Sequence, residues 1–136
     1  METKSAELFG HLLYAESLTY DELLDAEERI IQDIEFLLER AGAEHIDFFP
    51  LGDALTFQCA FAKYKQYVFR KIACDLVEIL PKGISGRIYG LAHTLENAVL
   101  YWVQPNIWQE ASITFPVEAP KYVKVWHSED GKIEDI

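Results

Sequence analysis

Apolar positions in this 136-residue chain follow a helical period at first and an alternating one later. Leu8, Phe9, Leu12 and Leu13 recur in the 1-2-5-6 pattern of one helical face, which predicts a first helix over Ala6 to Tyr14. A stronger signal follows. Thr19 and Glu22 form a capping box, and Leu18 is placed to staple onto Leu23. Leu23, Ile30 and Leu37 then repeat every seven residues, as do Leu24, Ile31 and Leu38, and Ile34 fills the same side. Asp25, Glu28, Asp33, Glu35 and Glu39 occupy the opposite side, and Gly42 stands where a left-handed cap closes a helix. A second helix is therefore predicted from Tyr20 to Ala41. Its broad apolar stripe predicts a resting place on a sheet or a neighbouring helix. Three heptads are short for a free coiled coil.

Past Gly42 the period drops to two. Glu44 to Phe49 reads as a short strand, and Pro50-Leu51-Gly52-Asp53 as a tight turn. Leu55, Phe57, Cys59 and Phe61 then alternate with Thr56, Gln58, Ala60 and Ala62, as in a half-buried strand. Helical spacing returns from Lys65 to Leu80 through Val68, Ile72, Leu76 and Leu80, although Tyr67-Val68-Phe69 also fits a strand. Pro81-Lys82-Gly83 ends it. Ser85–His93, Ala98–Val103, Ala111–Phe115 and Tyr122–His127 complete the pattern as strands, rich in β-branched and aromatic residues. Asp130-Gly131 predicts a hairpin that folds the tail back as a short edge strand.

The predicted order is α-α-β-β-α-β-β-β-β in one domain spanning residues 1–136. Hairpin-length connections imply an α+β fold, with a curved antiparallel sheet of about five to six strands and helices on one face. This order, at this length, resembles the nuclear-transport-factor-2-like (ketosteroid-isomerase-like) cone. The resemblance is one of element order, and it carries no functional residue with it. Gly86 and Gly90, four apart on one pleat face, would let their strand curve around the helix from Lys65.

Charge changes the picture next. The chain holds 12 Lys+Arg and 23 Asp+Glu, a net of −11. Residues 1–47 carry 13 acids and three bases, whereas 48–126 carry six acids and eight bases. Such a field repels phosphate backbones and anionic lipid, so neither nucleic acid nor membrane is expected as a partner, and it attracts basic proteins. No apolar run reaches the ~18 residues of a membrane span. The start lacks the basic head and apolar stretch of an export signal, and two cysteines do not make a disulfide framework. A cytoplasmic location is the expectation.

Candidate chemistry is sparse. His45 and Asp47 share one side of a strand, but two ligands do not make a metal site. Cys59 and Cys74 lie outside any CxxC pattern and read as buried thiols. Gly83, Gly86 and Gly90 match no phosphate-binding spacing. His93, Thr94 and Glu96 fit a polar loop. Lys63-Tyr64-Lys65-Gln66-Tyr67 with Arg70-Lys71 interleaves cations and aromatics, and pairing with the acidic helix, within one molecule or across a dimer, explains these cations more simply than nucleic acid does. No catalytic residue, metal or cofactor is assigned.

Aromatic residues number 18. Tyr101 and Trp102 are consecutive, so alternation sends one of them to the second face of the sheet. An interface of Tyr101, Trp102, Trp108, Tyr122 and Trp126 follows if that face is uncovered. Two functions remain open. One is a non-catalytic acidic interaction or regulatory domain, homodimeric through this face and able to bind a basic protein. The other is a small-molecule binder or enzyme with a pocket between sheet and helices, its polar groups drawn from Asp53, Tyr89, His93 and Tyr101.

Overall fold

The computed structural model describes residues 6–16, 18–94 and 96–114, together with the strand backbones 124–127 and 132–135. The elements are β1 (Ala6–Tyr14), α1 (Tyr20–Arg40), β2 (Glu44–Pro50), β3 (Ala54–Phe61), α2 (Gln66–Ile79), β4 (Ile84–Ala92), β5 (Asn97–Gln104), β6 (Ile107–Thr114), β7 (Lys124–His127) and β8 (Lys132–Asp135). Strands β1 to β6 form one open, curved antiparallel sheet in the order β2-β3-β1-β4-β5-β6, so the α+β class holds. β7 and β8 pair as a hairpin, Trp126 opposite Ile133, in a two-stranded sheet of their own rather than at an edge of the large one.

The first predicted helix is a strand. Ala6–Tyr14 lies inside the sheet between β3 and β4, with Leu8 opposite Cys59 and Gly90. Leu8 and Leu12 face the helices, while Phe9 and Leu13 face the other way. A strand apolar on both sides produces adjacent pairs four residues apart, which the helical period also predicts. Gly10 marks the difference. A Cβ there would overlap the Phe57 ring, so the strand needs a bare backbone at that point. The helix pair behind the cone resemblance thus becomes a strand followed by one helix.

Helix α1 closely follows its sequence signals. Thr19 Oγ1 accepts from the Glu22 N–H at 3.3 Å. At the other end Gly42 takes φ 93°, and the Gly42 and Ala43 N–H groups donate to the carbonyls of Glu39 and Leu38. These two bonds form a Schellman cap. Ile30, Ile34 and Leu38 enter the core; Leu24 is exposed and Ile31 half-buried, so a single stripe faces inward and not both heptad columns. α2 carries Phe69, Ile72, Leu76 and Val77 into the same layer, across β4, β5 and β6. Tyr67–Phe69 is helical.

Gly90 gives the Phe69 ring room on the curved sheet: an added Cβ would sit 2.5 Å from Phe69 Cδ2 and 3.0 Å from Val99 Cγ1. Gly86 approaches the His11 backbone too closely for any side chain. Both glycines lie on the helix side of β4, as their spacing suggested. The β5–β6 turn pairs Pro105 with Asn106 at φ 64°, and the Asn106 N–H donates to the Val77 carbonyl at 2.9 Å, which fastens the hairpin to α2.

Candidate interaction surface

Tyr101 and Trp102 separate as alternation requires. Tyr101 is completely buried on the helix side, its ring 6.0 Å from that of Trp108. Its hydroxyl donates to Glu110 Oε2 at 2.7 Å. Arg70 grips the same carboxylate with Nε at 2.9 Å and Nη2 at 3.0 Å, and Gln66 Nε2 donates to Ser112 Oγ at 2.6 Å. This cluster clasps the start of α2 to β5 and β6. The Arg70 guanidinium holds the Glu110 carboxyl below its ordinary range, against a smaller upward push from burial. Burial and the Glu110 carboxylate together push the Tyr101 hydroxyl far up.

Two of the four cations of this stretch, Arg70 and Lys71, therefore find partners away from α1 within this chain, unlike the expected pairing with the acidic helix. Arg70 pairs with β6, and Lys71 with Asp75 of its own helix at 2.7 Å.

Trp102 points to the opposite side and is 48% exposed. Its neighbours follow from the register, because directly opposed residues share a face. Phe9, Tyr89, Leu100 and Ala111 form one row across β1, β4, β5 and β6. Glu7, Leu91, Ala98 and Ile113 form a second, and His11, Arg87, Trp102 and Gln109 a third. Leu13, Phe49, Ile107 and Ile113 are exposed with Trp102. The Arg87 guanidinium stacks 4.6 Å over the Trp102 ring. Two shallow depressions flank this stack, about 300 Å³ beside Trp102 and about 230 Å³ around Phe9 and Phe49. Both helices pack on the other side, so among the described residues no helix covers these rows.

The five aromatics of the expected interface do not share a surface. Tyr101 and Trp108 belong to the helix side, Trp102 to the bare side; Tyr122 and the Trp126 side chain lie outside the described residues. The bare side owes most of its apolar character to residues outside that expected set, among them Phe9, Leu13, Ile107 and Ile113. β1 read as a helix, which hid Phe9 and Leu13, and β6 begins at Ile107, four residues earlier than expected. Gly10, a poor residue for a helix interior, was the signal available.

The four pocket candidates scatter. Asp53 is an exposed turn residue whose carbonyl accepts from the Tyr14 N–H at 3.1 Å. His93 is exposed beyond the other end of β4, a nine-residue strand of roughly 30 Å. Tyr89 and Tyr101 occupy opposite faces. The layer between sheet and helices is filled by Tyr101, Phe57, Phe69 and aliphatic side chains.

His45 sits at a bulge with φ 56°, beside Asp47 and Glu7 in a depression of about 200 Å³. Among the described residues no three His, Cys, Asp or Glu side chains are placed to hold a metal ion. Cys59 is buried and its thiol pushed up to about 12, and Cys74 is half-buried; both are free. No described helix is long and apolar enough to cross a membrane. No known protein-family model matches the sequence, and a search of curated proteins also returns no match.

Proposed function

We propose that this chain is a non-catalytic interaction domain. It pairs with a second copy through the bare side of its sheet and presents its acidic helical side to a basic protein. The observation that carries the pairing is the row Phe9, Tyr89, Leu100 and Ala111 flanked by exposed Trp102 and Ile113, a patch of a kind that marks interaction sites in soluble proteins. Six strands at ~4.8 Å spacing and ~8 residues at ~3.3 Å give a rectangle on the order of 600 Å². With side-chain relief this approaches the ~800 Å² of accessible surface that a stable interface buries on each partner. Among the described residues the register places four charged groups on this side, Glu7, Glu44, Asp47 and Arg87, and they lie towards its margins or beside Trp102, so two copies can meet there without strong repulsion.

Support for the basic partner comes from α1, which carries eight acids and two bases. Asp21, Asp25, Glu28, Glu35 and Glu39 recur at three-, four- and seven-residue intervals along its exposed ridge.

Sedimentation velocity from about 1 to 100 µM tests the pairing. The expected result is a reversible dimer that persists in high salt and that Trp102→Glu with Ile113→Glu converts to a monomer. A wild-type chain that stays monomeric throughout that range removes the proposal.

A further inference from the structure

The two helices leave a groove of about 440 Å³ between them, on the side of the molecule away from Trp102. Its floor is apolar: Leu37 from α1, Ile72 and Ile79 from α2. Phe36 stands on its rim, 62% exposed, between the acidic ridge residues Glu35 and Glu39. Phe36 contributes little to the core there. It buries little area, and Phe is a weaker helix former than the Glu or Lys an exposed position would otherwise take. Such an aromatic beside an apolar floor has the properties of a binding anchor.

The charges around the groove define what it can receive. Both local cations are already engaged within the chain. Arg40 lies 5.7 Å over the Phe36 ring, and Lys71 pairs with Asp75. Asp33 and Glu78 complete the rim, and the five acids of the α1 ridge run alongside Phe36. An acidic polymer or an anionic surface is repelled here. A helix with apolar residues on one side and Lys or Arg on the other is complementary in both respects, since its apolar residues can fill the groove while its cations reach the ridge.

We infer that the α1–α2 groove is a docking site for a basic amphipathic helix of a partner protein, with Phe36 as its anchor. This rests on the proposal that the acidic helical side faces a basic partner, and it adds the place and the shape of the contact.

The test uses the full chain and a fluorescein-labelled 18-residue Leu/Lys peptide of helical amphipathic pattern, read by anisotropy. A peptide of the same composition in scrambled order serves as control. The amphipathic peptide is expected to bind saturably and at least about tenfold more tightly than the scrambled one. Phe36→Ala should weaken it about tenfold and, being exposed, leave the circular dichroism unchanged. Glu35→Lys with Glu39→Lys should weaken it further and flatten its salt dependence. Trp102→Glu, on the far side of the sheet, should leave it unchanged. Equal binding of both peptides, or indifference to Phe36→Ala while the ridge reversal abolishes binding, overturns the groove and leaves the basic-partner reading standing. Absence of binding by either peptide at low salt overturns both.

Discussion

Tyr101 and Trp102 are adjacent and similar in size, yet one is sealed in the core while the other lies half exposed beneath an arginine. The difference lies in the third dimension, since β5 presents an apolar residue to each side and α2 covers only one of them. On the helix side the ring is closely packed and its hydroxyl satisfied by Glu110. On the other side the same kind of apolar surface meets no described helix. The two sides of one sheet therefore differ in environment: on the first, burial stabilises the fold, and on the second, among the described residues, apolar side chains stay exposed.

Substitutions separate the two sides. Tyr101→Ala opens a cavity beside Trp108 and removes a partner of Glu110, so urea unfolding should show a loss of about 3–5 kcal/mol. Trp102→Ala removes a larger side chain, yet the monomer measured at low concentration should change by less than about 0.5 kcal/mol. Equal losses would erase the distinction.

Glycines give the next largest effect. Gly86→Ala and Gly90→Ala should each cost about 1–3 kcal/mol. Gly86 should cost more, because its obstruction is the His11 backbone while Gly90 meets a Phe69 ring that can shift. On the opposite side of the same strand, Ser85→Ala should be nearly silent.

Tyr101→Phe keeps the ring and deletes the hydroxyl bond, a loss of about 1 kcal/mol. The clasp it belongs to also predicts a pH dependence. Glu110 titrates below its ordinary range in the folded chain, chiefly through Arg70. Its contribution is therefore complete above the ordinary carboxylate range of about pH 4 and declines as pH falls through the lowered folded value. Glu110→Gln should remove that acid-limb slope, measured as unfolding free energy between about pH 2 and 6, whereas Glu7→Gln on the bare side should leave it intact. The smallest effect is chemical. Native protein should react with a thiol reagent at Cys74 and not at Cys59, whose thiol is buried and pushed up to about 12.

Much of the fold was legible locally. Thr19, Glu22 and Gly42 bound α1 because capping acts within one turn of the chain. Leu55, Phe57, Cys59 and Phe61 alternate because one side of β3 is buried. The Tyr101–Trp102 split also follows from alternation. β1 was misread for an equally physical reason: its pairs Leu8-Phe9 and Leu12-Leu13 satisfy both periods, and its partners Cys59 and Gly90 lie 51 and 82 residues further on. Of the bare side, only Trp102 was legible as an interface residue, since Phe9 and Leu13 come from the misread strand.

The amino-acid pattern alone determined the bounds of α1, the turn at Pro50–Asp53, the alternation of β3 and β5, and the acidic character of the first 47 residues. Each depends on interactions reaching three or four positions along the chain, or on composition. Tertiary structure decided that β1 is a strand at the middle of the sheet, that Arg70 seeks Glu110 rather than α1, and which of two apolar surfaces the helices cover. Those outcomes depend on contacts across tens of residues, where several pairings satisfy the same local pattern and the packing of the whole core selects among them.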